Sequence, residues 1–102
     1  MRKKIRAGQK VVVSFKPHER QLVLDHTRAG PDLTTALRRA PMAAGRYVVR
    51  YTLGDLDELL GYVAVEANHS TDKKIRRGLD ALYRRLRQEM EPYDDGLWQR
   101  AF

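Results

Sequence analysis

Apolar and polar positions alternate in two short stretches of the chain and recur at helical spacing elsewhere. In Val11–Lys16 the odd positions are Val11, Val13 and Phe15, and the even positions turn polar. In Tyr47–Leu53 the odd positions are Tyr47, Val49, Tyr51 and Leu53, set against Val48, Arg50 and Thr52. A period of two predicts a strand with one buried face, and the β-branched and aromatic residues suit a pleated surface. From Leu56 the period changes. Leu59, Leu60, Val63, Ala64 and Ala67 follow at helical spacing, then Ile75, Leu79, Leu82, Tyr83, Leu86 and Met90 continue a second stripe until Pro92 stops it.

Start signals agree with these periods. Thr52 with Asp55 three residues later is a capping arrangement, and Pro17 with Glu19 opens an earlier helix in a related way. That earlier helix holds Leu22, Val23 and Leu24 in succession rather than at a period. Leu33, Ala36, Leu37 and Ala40 then predict a short second helix between the break at Gly30-Pro31 and Pro41. Residues 41–46 connect into the second strand. Around residues 68–72 one helix should end on Asn68 in a left-handed cap with His69 beside the negative helix end, and Ser70 or Thr71 should start the next.

Two stretches of the chain resemble two others. VVVSFKPHERQLVL set on YVVRYTLGDLDELL by a shift of 36 pairs Val13 with Val49, Phe15 with Tyr51 and Glu19 with Asp55, and DLTTALRRA resembles GLDALYRRL after a ten-residue insertion. The expected fold is therefore α+β: two short strands and four helices, arranged as a duplicated strand-helix-helix unit that ends in an antiparallel helical hairpin. The expected organisation is a basic N-terminal arm over residues 1–10, one α+β domain over 11–91 and a C-terminal tail over 92–102. In that tail Trp98 and Phe102 are apolar anchors. A helix-turn-helix is the competing geometry for the corner, but the last helix is long for a recognition helix.

Composition narrows function mainly through charge. The 102 residues fit one domain, and no apolar run approaches the roughly 20 residues that span a bilayer, so a soluble chain with no membrane partner is expected. The basic N-terminus lacks the apolar core and cleavage site of a secretory signal, and cysteine is absent, so the cytoplasm is the expected location. The net charge of +7 is uneven: residues 1–50 carry 12 Lys/Arg against 3 Asp/Glu, residues 51–102 carry 8 against 10. Such asymmetry points to a polyanion, DNA or RNA, or to an acidic protein surface.

Catalytic chemistry finds little support. Glu66 and His69 share a helix face, yet a single Glu-x-x-His is far short of the repeated carboxylate and histidine ligands of a metal bundle. His18 and His26 are not brought to His69 by any periodicity. No Gly-rich phosphate loop is present, and the Ser and Thr residues fall at strand, cap or helix-surface positions. A protein without catalytic residues, metal or cofactor is expected, one that contacts phosphates without reading sequence through Arg2, Lys3, Lys4, Arg6, Lys73, Lys74, Arg76 and Arg77. The alternative is an interaction or oligomerisation module using the helical hairpin or the Trp98/Phe102 tail, including a homodimer formed through a strand edge or the hairpin. Tyr47, Tyr51 and Phe15 are assigned to the core, and an open face there would instead make a base-stacking platform.

Overall fold

The structure, a computed structural model, describes residues 2–94; Trp98 and Phe102 lie outside that range. Its elements in order are β1 (Lys3–Lys4), β2 (Lys10–Phe15), α1 (Pro17–His26), α2 (Pro31–Arg38), β3 (Met42–Ala43), β4 (Arg46–Thr52), α3 (Leu53–His69), α4 (Lys73–Met90) and β5 (Tyr93–Asp94). The α+β class, the four helices and the C-terminal hairpin stand as expected. Beside the two principal strands are three of two residues each, too short to show as a period.

β2 and β4 pair antiparallel, with Val13 opposite Val49, Val11 opposite Tyr51 and Phe15 opposite Tyr47. This register respects the repeat. A shift of 36 carries the pair Val11–Tyr51 onto Tyr47–Phe15, which is also a pair, so a local two-fold axis passes by Val13 and Val49. The helices that follow begin at equivalent positions, Pro17 and Leu53. Their third residues also do equivalent work: Glu19 accepts from Lys16 N–H at 2.8 Å and Asp55 from Thr52 N–H at 3.0 Å. Each carboxylate satisfies a donor left orphaned by the helix start.

The connection at residues 41–46 is a hairpin rather than a plain linker. Met42 lies opposite Tyr47 and Ala43 opposite Arg46 across the two-residue turn Ala44-Gly45, whose φ angles are 52° and 78°. Both turn residues are left-handed, as a type I′ turn requires, and glycine takes the second at no steric cost. The resulting sheet has the order β2-β4-β3 and leaves β2 as an edge.

One face of this sheet is covered and the other is open. Val11, Val13, Phe15, Val49 and Tyr51 are buried with Val23, Leu33, Leu37, Leu56, Leu59, Leu79, Leu82 and Leu86 from the four helices. Tyr51 is 2% exposed, and its hydroxyl donates to the Leu33 carbonyl at the start of α2. Burial first, and the charge of Asp55 second, raise that hydroxyl's pKa well above its ordinary value. The stacking-platform geometry is thereby excluded for Phe15 and Tyr51, which face the helices. Tyr47 is half-buried under the Arg20 guanidinium, 4.4 Å from the ring centroid.

The corner between the last two helices differs from the expectation. α3 continues through Asn68 and His69 to Ser70, and Ala44 is the non-glycine residue with positive φ among the described residues, so Asn68 adopts no left-handed cap. Asp72, rather than Ser70 or Thr71, caps α4: its Oδ1 accepts from Lys74 N–H at 2.9 Å and Ile75 N–H at 3.1 Å. A carboxylate there complements the positive helix end more strongly than a hydroxyl. Among the described residues no helix is long and apolar enough to cross a membrane.

Candidate nucleic-acid interface

The N-terminal cations do not trail from the domain. Lys3 and Lys4 pair in parallel with Tyr93 and Asp94, and Ile5 packs against the core, so this segment is tied to the end of the chain beyond α4. Lys73, Lys74, Arg76 and Arg77 occupy the first turns of α4 instead. With 18 residues in the helix, at about 1.5 Å each, the two groups stand about 27 Å apart along its axis. The eight cations singled out from sequence therefore form two groups at opposite ends of α4.

Most of these side chains are uncommitted. Lys3, Lys4, Arg6, Lys73, Lys74 and Arg77 are exposed and reach no carboxylate among the described residues. Arg76 is different, since its Nε donates to the Ala67 carbonyl at 3.2 Å and closes the end of α3. That bond uses one of five guanidinium donors. Arg2 has a partner of its own.

The open sheet face adds further cations to these eight. Lys10 and Arg50 are exposed and Arg46 half-exposed, with Val12 and Val48 between them. Val12 is directly opposite Arg50 and is 54% exposed. No acidic residue belongs to the outward positions of β2 or β4. Alternation carried this signal: once Val11, Val13 and Phe15 are assigned inward, Lys10 and Arg50 are turned out. Lys10 lies opposite Thr52, the cap of α3, so it stands at the same end of the hairpin as β1.

One arginine is removed from any such surface. Arg85 Nε and Nη2 grip both oxygens of Glu19 at 2.6 and 2.9 Å, and Nη2 also reaches the Ser14 carbonyl at 2.8 Å. Glu19 is 6% exposed. Burial pushes its carboxyl up, but the Arg85 bonds, the Lys16 N–H and the charges of Arg85 and His18 outweigh it, and the pKa falls below the ordinary 4.5. The Arg85–Glu89 pair at i,i+4 spacing is present at 3.3 Å. The contact with Glu19, 66 positions away, has no local signal.

Two grooves lie on the surface of the described residues. One, of about 660 Å³, runs along α3 between Glu58, Tyr62, Val65, Glu66 and His69, with Arg28 at its side. His69 Nδ1 is 2.8 Å from the Val65 carbonyl, the geometry of an N–H donating back into its own helix. The other, of about 490 Å³, lies between α1 and α4, with His18, His26 and Lys74 around Leu22 and Ile75. The three histidines are thus divided between two grooves. Among the described residues no three His, Asp or Glu side chains gather as a metal site would need. Neither a family model, nor a curated protein, nor a solved structure matches the chain.

Proposed function

We propose that this chain is a nucleic-acid-associated binding protein, acting without catalysis, that holds phosphates through Lys3, Lys4, Arg6, Lys10 and Arg50 on one side and Lys73, Lys74, Arg76 and Arg77 on the other. The observation that supports this most is the open sheet face: Lys10, Arg46 and Arg50 stand outward with no acid on either principal strand's outward side. Surface cations of monomeric domains are ordinarily interspersed with acids for solubility. A face of one sign attracts a polyanion over a Debye length of about 8–10 Å. With Phe15 and Tyr51 turned inward, the sheet offers no stacking platform and contact is with the backbone.

The test is fluorescence anisotropy of a labelled random-sequence duplex titrated with protein between about 50 and 200 mM salt. Affinity should fall steeply, with a log–log slope near −0.9 per phosphate contact, and Lys10→Ala/Arg50→Ala should flatten the slope by about 2. Binding that is absent at the lowest salt, or indifferent to salt, would overturn the reading. The apolar stretch of the α3 groove, with Val65 55% exposed beside Tyr62, favours a second reading as a protein contact on the hairpin. That contact would hardly respond to the same salt range.

A further inference from the structure

The open sheet face and the outer side of α4 are both basic, and the hydrophobic core stands between them. Lys10 and Arg50 point away from the helices, because the alternate residues Val11, Val13, Val49 and Tyr51 are the buried ones. On α4, Lys73, Arg77 and Arg84 are exposed while Leu79, Leu82 and Leu86 enter the core. Asp80 is the acid among the exposed residues of that stretch. A straight duplex laid along α4 would meet Lys73, Arg77 and Arg84 within about 17 Å of helix, a span over which duplex DNA presents about ten phosphates. It would leave Lys10 and Arg50 uncovered on the far side of the sheet.

From this geometry we infer that one molecule joins two nucleic-acid duplexes, one on the sheet face and one along α4. The inference rests on the phosphate-binding reading above and goes beyond it by giving the protein two faces and a bridging role. Each duplex screens its own face, so occupation of one leaves the other cationic and competent. Bridging therefore peaks when duplex is in excess of neither face, and declines when protein saturates both duplexes separately.

The experiment immobilises one DNA duplex and measures capture of a second, fluorescent duplex as protein is added, with anisotropy on the single duplex run in parallel. Wild-type protein should capture the second duplex, with a maximum at intermediate protein. Lys10→Ala/Arg50→Ala and Lys73→Ala/Arg77→Ala/Arg84→Ala should each still bind one duplex, with a shallower salt slope, and each should lose at least about tenfold in capture. None of these five side chains holds a fold contact among the described residues, and circular dichroism of both variants checks that the fold is kept. Single-duplex binding with no capture would overturn the bridging inference and leave the phosphate reading standing. Capture that survives loss of one face would also overturn it, since two copies each using one face would then be joining the duplexes. Absence of any binding would remove both readings.

Discussion

Glu19 keeps its charge in the interior because donors meet it from two sides, the α4 guanidinium of Arg85 and the backbone ahead of α1. Arg85 on α4 supplies two bonds, the Lys16 N–H at the end of β2 supplies a third, and Arg85 continues to the Ser14 carbonyl. Removing one member leaves the others desolvated without a partner, which costs more than the pair contributes when intact. Glu19→Gln should destabilise the fold by about 2–3 kcal/mol, read from chemical denaturation at pH 7. The pH dependence follows from the sign of the shift. A carboxyl whose pKa is lower folded than unfolded adds stability that is complete above the unfolded value near 4.5 and is lost as pH falls through the folded value. Wild-type stability should therefore decline below about pH 4.5, and the Gln variant should lose that part of the slope. Equal slopes for the two proteins would show that Glu19 is not the group responsible.

At the scale of elements, helix positions that look alike in sequence separate by what surrounds them. Gly61 and Gly78 both sit inside helices, where glycine costs about 1 kcal/mol relative to alanine. A Cβ on Gly61 would meet nothing within 4 Å, whereas one on Gly78 would lie 2.9 Å from Leu22 Cδ1 on α1. Gly61→Ala should raise stability by about 1 kcal/mol, and Gly78→Ala should gain less or lose, because α1 and α4 must separate or Leu22 must turn. Thermal melts of the two variants side by side decide this. The caps follow a similar logic. Asp72→Ala hands the Lys74 and Ile75 N–H groups from a fixed carboxylate to water and should cost about 1 kcal/mol, and Asp72→Asn or Asp72→Ser should recover most of it. Sequence pointed to the corner around residues 68–72 but not to Asp72 as the cap, since three capping residues stand together at Ser70, Thr71 and Asp72 and only the path of the turn selects among them.

Across the whole molecule, the strand-edge dimer expected from sequence meets an obstacle at β2. Val48 N–H points to Pro41 on the β3 side, so its partner Ser14 turns its backbone groups to the free edge, where Arg85 occupies the carbonyl. Lys10 and Val12 are left as the edge residues able to pair, and Lys10 brings a like charge to a second copy. Light scattering at micromolar concentration should give the 11.8 kDa mass of one chain; a mass of twice that would place the contact elsewhere, with the α3 groove first to be mutated.

The sequence by itself determined the two principal strands, the starts of α1, α2 and α3, the inward face of Phe15 and Tyr51 and the equivalence of Glu19 with Asp55, because periodicity and capping are local and each signal lies within a few residues. It also contained the cations, but not their grouping. Tertiary structure decided that Lys3 and Lys4 are fixed beyond the end of α4, about 27 Å from Lys73, that Arg85 is spent on Glu19, and that Lys10 and Arg50 share an open face. Those relations join positions tens of residues apart, and charges at such separations acquire a common direction only when packing of the core fixes which sides of the sheet and of α4 remain in water.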